Sequence, residues 1–400
     1  REMTAPRMQD GLIPANEAIY NKLVFGIAVT EFVDGHSHTA TIPIIDWANP
    51  DANNFAVTEE YEVLAVDGTR TRRPDIICFV NGLPLIVIEA KRPDSGNPNT
   101  SMMDEGISQS IRNQKPDEIP HLFAYSQLLL SINGVDGRYG TAKTPKKFWA
   151  KWREEILSDE DFDRIKNTPA ADESLLDGRS GEVRAQMQAY FAAPQLVTDQ
   201  DRLIISLLSK ERLLDFVRNS IFFDRKLGKI AARYQQVFGI KALLARISGT
   251  DDKGTRNGGV IWHTTGSGKS FTMVLLCKAL LMDDALAQSR IIVVTDRIDL
   301  EKQLSRTFAS SGALGSKAKP KDAKAKSGRD LAKRIGSGKE RSLFSTVQRF
   351  ASAVKSHDAK NDSPNLIVLI DEGHRSHSGE GHERMCLALP KASFIAFTGT

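Results

Sequence analysis

Residues 259–282 constrain this chain more than any other stretch. A short apolar run, Gly259-Val260-Ile261-Trp262, is followed by His263-Thr264-Thr265-Gly266-Ser267-Gly268-Lys269-Ser270 and then by a helix-prone run from Phe271 to Met282. Strand, glycine loop and helix in that order build a phosphate cradle. The glycines let backbone N–H groups close on phosphate oxygens, and the helix N-terminus adds its positive end. Thr265, Gly266, Ser267 and Gly268 then line the phosphates, Lys269 reaches the β/γ-phosphates of a nucleotide, and the Ser270 hydroxyl ligates Mg²⁺. The competing reading is a glycine-rich turn with no ligand, and the context on both sides weighs against it. A second string, Gly336-Ser337-Gly338-Lys339-Glu340, has no strand before it and carries Glu340 where the hydroxyl is needed. It is expected to be a loop.

The surrounding pattern fits one kind of domain. From Tyr234 onward short apolar runs alternate with helical segments: 259–262, Ile291 to Val294, Ser342 to Ser345, Leu366 to Ile370 and Phe394 to Phe397. Continuous apolar strands separated by helices imply a parallel sheet covered on both faces, a doubly wound α/β domain. The run at Leu366 ends in Asp371-Glu372-Gly373-His374. A buried strand would deliver Asp371 beside the cradle to hold hydrated Mg²⁺, with Glu372 placed to orient or deprotonate the attacking water. His374, His377 and His382 fit no common zinc spacing, and no cysteine completes a set.

The first 150 residues have a different texture. β-rich stretches at Thr39 to Ile45, Thr58 to Val66 and Asp75 to Ala90 accompany a helical signal near Met102 to Asn113, and residues 150–232 read as mostly helical. Two β-branched runs flank Asn81-Gly82, a strong hairpin signal. Glu89 and Lys91 lie two apart on the second strand and share a face. With Asp75 they form a set that can hold Mg²⁺, activate a water and stabilise a phosphorane-like transition state. A two-residue turn pairs Asp75 with Ile88 and leaves Glu89 on the other face. The chemistry needs a one-residue offset, through a longer loop or a bulge. The competing reading is a surface hairpin with a Glu–Lys pair at its end.

Composition bounds the rest. The 400 residues carry 54 Lys+Arg against 50 Asp+Glu, yet residues 317–339 alone hold nine Lys/Arg and two Asp. That segment, with Lys317, Lys319 and Lys321 at its start, suits phosphate backbones or serves as a solvated loop. The stretch 311–341 reads as a long low-complexity insertion. Three cysteines among apolar residues predict a reduced, cytoplasmic protein. No apolar run approaches the ~18 residues of a membrane span.

The set Gly266-Ser-Gly-Lys-Ser270, Asp371-Glu-Gly-His374 and Thr398-Gly-Thr400 resembles motifs I, II and III of superfamily-two DExH helicases and translocases. Thr295-Asp296-Arg297 is similar to motif Ia, which implies DNA phosphate contacts by Thr295 and Arg297. Arg233-Tyr234-Gln235-Gln236 resembles the adenine-reading Q motif, with Gln236 the better-placed glutamine. Pro74-Asp75…Glu89-Ala-Lys91 resembles the PD-(D/E)xK nuclease core. Ile119-Pro-His-Leu-Phe-Ala-Tyr125 and Ser131-Ile-Asn-Gly134 resemble the segment downstream of that core in the restriction (R) subunits of type I restriction–modification enzymes. One departure is visible: the family's Gln-x-x-x-Tyr element would run from Gln109 to position 113, where Asn113 stands.

The resemblance implies a mixed-sheet PD-(D/E)xK nuclease fold with a helical connector over 1–224, and a RecA-like motor domain over 225–400. It implies ATP-dependent translocation on double-stranded DNA coupled to Mg²⁺-dependent cleavage, with methyltransferase and specificity subunits as partners. Motif III falls at Thr400, so a second motor domain with its arginine finger is expected outside this sequence. Two other readings stay open: a stand-alone DExH RNA helicase, and an ATP-binding scaffold subunit without nuclease activity.

Overall fold

The computed structural model describes residue 3 and residues 6–97, 101–168, 176–224, 226–252, 254–262, 268–286, 288–295, 324–371 and 379–399. The chain divides into two compact units. One comprises Arg1–Arg218 with Arg225–Tyr234, the other Asn219–Asp224 with Gln235–Thr400.

The first unit opens with helix α1 (Leu12–Phe25), which buries Ala15, Ile19 and Leu23. An antiparallel hairpin follows, β1 (Ile27–Val33) with β2 (His36–Ile42). The central sheet contains β3 (Phe55–Glu59), β6 (Ile76–Val80), β7 (Leu83–Ala90), β8 (Leu128–Ile132) and β9 (Gly137–Gly140), in the order β3-β6-β7-β8-β9. A small ribbon, β4 (Val63–Leu64) and β5 (Thr71–Arg72), lies outside it. All pairs in the main sheet are antiparallel except β7 with β8, which is parallel. This is the expected mixed sheet. Strand β7 is central and its residues Leu85 to Glu89 are all buried, which accounts for its unbroken apolar reading.

The β7–β8 connection carries helix α2 (Met102–Asn113). Ser101 caps it by accepting from the Asp104 N–H at 3.2 Å, and Asp104 and Glu105 occupy its first turn, where the helix dipole favours acids. Its buried face is Met103, Gly106, Ile107, Ser110 and Asn113. Met103 and Ile107 join Ile77, Val87, Phe123 and Leu129 in the core of this unit. After α3 (Pro120–Phe123) come α4 (Asp159–Asn167), α5 (Gly181–Ala192), α6 (Asp199–Leu207) and α7 (Lys210–Asn219). The leucines between 203 and 217 fall on α6 and α7, with Leu208 capping the first.

Strand β10 (Ile221–Asp224) belongs to the second unit, whereas β11 (Gly228–Ala231) belongs to the first. The second unit's sheet is entirely parallel: β12 (Gly259–Trp262), β13 (Arg290–Val294), β14 (Ser342–Ser345), β15 (Leu366–Asp371) and β16 (Ser393–Thr398), in the order β12-β16-β15-β13-β14. All five apolar runs are strands, and the doubly wound α/β expectation holds. Around this sheet are α8 (Tyr234–Ser248) and α9 (Lys269–Met282). Helix α9 is buried continuously from Thr272 to Leu281, and the one charge in that run, Lys278, donates to the Ile221 carbonyl at 2.8 Å.

One expectation fails here. The 311–341 stretch is not an insertion throughout: Gly328–Ser337 is a helix between β13 and β14, capped by Ser327. Its Leu331, Ala332 and Ile335 are fully buried in the second unit's core. Lysine and glycine content masks three apolar positions at helical spacing. Gly336 and Ser337 belong to its last turn, so the second glycine–lysine string is a helix end instead of a free loop.

Candidate functional sites

The β6–β7 hairpin brings the three nuclease candidates together by a single irregularity. Asn81 and Gly82 both have positive φ, 50° and 77°, the conformation of a tight two-residue hairpin turn. From that turn Val80 pairs with Leu83 and Phe79 with Pro84, but the register then shifts, so that Cys78 pairs with Ile86 and Ile76 with Ile88. Leu85 is the extra residue, and Asp75 and Glu89 become the next positions in register. The offset that the chemistry needs is a β-bulge.

The resulting cluster is tight. Lys91 Nζ lies 2.9 Å from Asp75 Oδ2 and 3.6 Å from Glu89 Oε2. The Ala90 N–H also donates to Asp75 Oδ2, at 2.8 Å. The side chains grade from a third exposed at Asp75 (33%) through Lys91 (15%) to Glu89 (0%), so the site opens on the Asp75 side. Burial pushes the Glu89 carboxyl up to about 8, with the Asp75 charge adding to the rise and Lys91 opposing it. Glu89 Oε1 accepts from the Asn113 side-chain amide at 3.3 Å, while Oε2 is buried with no hydrogen-bond partner. Among the described residues no cluster of three or more His, Cys, Asp or Glu could hold a metal by itself. An orphaned buried carboxylate oxygen beside a second carboxylate nevertheless fits a divalent cation completed by water or phosphate oxygens.

In the second unit the candidate residues meet at the C-terminal ends of the parallel strands, where α/β sheets bind ligands. Lys269, the first residue of α9, lies 3.2 Å from Asp371 Oδ1 at the end of β15. Thr295, expected among the DNA contacts, is buried, and its hydroxyl donates to Asp371 Oδ2 at 3.1 Å. The structure thus groups its side chain with the nucleotide candidates. Gln236, near the start of α8, donates its amide to the Gly268 carbonyl at 3.3 Å and to Thr272 Oγ1 at 3.1 Å. Ser270 occupies the first turn of α9. Thr265, Gly266, Ser267, Arg297, Lys317, Lys319, Lys321, Glu372, His374 and His377 lie outside the described residues. Two participants are not evident from sequence. Asn113 stands out there only as a departure from a pattern, and Thr272 carries no signal beyond its place one turn into α9.

Fold and sites define an α/β chain with a mixed-sheet unit that carries a carboxylate–lysine cluster and a parallel-sheet unit in which Lys269 meets Asp371. The type I restriction enzyme R protein N-terminus family matches residues 1–148, and the SWI2/SNF2 ATPase family matches residues 235–400. Over nearly its whole length the chain is similar to type I restriction enzyme endonuclease (R) subunits. It is 30% identical over 388 residues, 95% of its length, to the putative type I restriction enzyme MjaIXP endonuclease subunit of Methanocaldococcus jannaschii, covering 34% of that protein. It is 32% identical over 412 residues to the type I restriction enzyme HindI endonuclease subunit of Haemophilus influenzae, with 97% of this chain and 35% of that one covered. A Staphylococcus saprophyticus type I restriction enzyme endonuclease subunit is 26% identical over 87% of this chain and 32% of its own. The chain thus spans about a third of the length of these relatives. No helix among the described residues is long and apolar enough to cross a membrane.

Proposed function

We propose that the first unit cleaves double-stranded DNA with Mg²⁺ and that the second hydrolyses ATP to drive DNA translocation, in an assembly with methyltransferase and specificity subunits. The observation that carries this reading is the bulge-set opposition of Asp75 and Glu89 with Lys91 between them, in a chain that also places Lys269 against Asp371.

At the nuclease site Asp75 and Glu89 would hold the cation, which when bound supplies an activated water and neutralises phosphate charge. The Ala90 N–H fixes one Asp75 oxygen, so the carboxylate keeps its aim. Lys91, anchored by Asp75 and mostly shielded, donates to the negative charge that builds on the phosphate oxygens. At the motor site Lys269 would bind the β/γ-phosphates in place of Asp371, Asp371 and Ser270 would hold Mg²⁺, and Glu372 would orient the attacking water. Gln236 ties the adenine side of the site to the cradle through Gly268 and Thr272. Arg297 and the lysines at 317, 319 and 321 contact DNA phosphates.

The test is a separation of functions in the assembled enzyme. Asp75→Asn should stop DNA cleavage and spare ATP hydrolysis, and Lys269→Ala should stop hydrolysis and translocation. An assembly that hydrolyses ATP but never cuts DNA would support the scaffold reading instead.

A further inference from the structure

We propose that Asn113 is the positioning residue of the Asp75–Glu89 site: its amide holds one Glu89 oxygen so that the other is presented to a divalent cation. This rests on the nuclease reading above. Asn113 is 5% exposed and Glu89 is fully buried, and the amide donates to Oε1 at 3.3 Å. A buried amide costs free energy unless it is bonded, so an apolar side chain would serve packing alone at less cost. With Oε1 engaged, Oε2 is buried without a hydrogen-bond partner, with the Lys91 ammonium at 3.6 Å, beyond hydrogen-bond reach, and the Asp75 carboxylate beside it. The carboxylate is thereby oriented, with its open oxygen on the side of the lysine that Asp75 also binds.

Helix α2 is built to hold Asn113 there. Gly106, two turns earlier on the same buried face, allows the close approach. A Cβ on it would collide with Ser131 Oγ and would lie 3.4 Å from the Lys91 stem. Ser131 is the β8 residue in register with Glu89 on β7, and its hydroxyl donates to the Met103 carbonyl at 3.1 Å, tying helix to sheet. At the other end the Asn113 carbonyl accepts from the Ile119 N–H at 3.1 Å. The next residue is pinned as well: Gln114 Nε2 donates to the Ser110 carbonyl, and Gln114 Oε1 accepts from the Lys143 N–H at 2.7 Å. The helix terminus has little freedom, so the amide stays on the carboxylate. Ser110, between Gly106 and Asn113 on this face, also has a buried hydroxyl without a partner.

Mn²⁺ binding to the 400-residue chain, followed by calorimetry, tests this directly. Two variants guard against a folding defect: Asn113→Leu keeps the branched side-chain shape and removes the donor, and Asn113→Ala removes both. Both should weaken Mn²⁺ by about 10–100-fold, the usual effect of losing a partner of a metal ligand. Cleavage by the assembled enzyme should then recover as Mn²⁺ is raised, because the defect lies in holding the ion. Folded variants that bind Mn²⁺ as tightly as the parent, while Glu89→Gln abolishes binding, would overturn the role of Asn113 and leave the nuclease reading intact. Mn²⁺ binding untouched by both Glu89→Gln and Asp75→Asn would overturn the nuclease reading and this inference together.

Discussion

Asp75 and Glu89 face one another across β6 and β7 because Leu85 has no partner on β6. The turn at Asn81-Gly82 sets one register and the bulge resets it by one residue, so Ile76 pairs with Ile88. Without the shift Glu89 would sit on the opposite face of the sheet from Asp75. The bulged residue itself is fully buried, and its carbonyl accepts from the Gln127 N–H at 2.6 Å, so the irregularity is held by the β8 side of the sheet. Bulges recur next to active sites for this reason.

Lys91→Ala should separate the two activities. The ammonium lies 2.9 Å from Asp75 and 3.6 Å from Glu89 Oε2, so on the proposed nuclease reading its loss removes a transition-state donor more than it removes packing. Losing one such donor typically costs ~3–4 kcal/mol of transition-state stabilisation. DNA cleavage by the assembled enzyme should fall by two to three orders of magnitude on this ~3–4 kcal/mol scale, with ATP turnover unchanged. Loss of ATP turnover in parallel would make Lys91 structural.

Glu89 gives the fold a pH dependence of defined sign. Its carboxyl moves from an ordinary 4.5 to about 8 on folding, so between those values the native state binds more protons than the unfolded chain. Stability contributed by that proton is fully present below 4.5 and is lost as pH rises towards about 8. Glu89→Gln keeps the shape and cannot ionise. Its melting temperature should exceed the parent's most at pH 8.5, with the gap narrowing at pH 5. Equal gaps at both pH values would show that Glu89 is not buried in its protonated form.

Much of this is legible from pattern alone. Parallel strands reveal themselves as apolar runs because both faces are covered, and β12 and β14 match their runs residue for residue. The need for an offset between Asp75 and Glu89 comes from strand period two and a two-residue turn. That Leu85 supplies it does not, since a bulge depends on what β8 offers the other edge. Thr295 and Asn113 are invisible as partners of Asp371 and Glu89 for a similar reason. Their contacts, 76 and 24 residues away, are fixed by strand order and by helix seating. The Gly328–Ser337 helix is hidden by its basic residues and glycines, although Leu331, Ala332 and Ile335 carry the helical spacing.

Lys269 and Asp371 should prove energetically coupled before any nucleotide arrives. Asp371 is 4% exposed, with Lys269 at 3.2 Å and the Thr295 hydroxyl at 3.1 Å. Removing one member of a buried pair typically costs about 3–5 kcal/mol, and removing both costs less than the sum. Lys269→Ala should therefore lower the unfolding midpoint as well as abolish nucleotide binding, and Lys269→Ala with Asp371→Asn should recover part of the loss. Strict additivity in denaturant unfolding would mean that the pair carries no net interaction.

The basic stretch 317–339 calls for a narrower test than its deletion. Leu331, Ala332 and Ile335 are core residues, so a deletion that reaches them removes packing worth about 2–5 kcal/mol per large side chain and says nothing about DNA. Charge neutralisation at Lys317, Lys319 and Lys321 isolates the electrostatic question. Every phosphate left without its lysine should lower the slope of log affinity against log salt by ~0.9, so the triple glutamine variant should reduce it by at most about 3. The loss should be the same for any DNA sequence, because backbone phosphates carry no sequence information. Leu331→Ala supplies the converse: a lower unfolding midpoint with the salt slope of the folded protein unchanged. A triple variant whose salt slope equals that of the parent would leave these lysines as solvated charges.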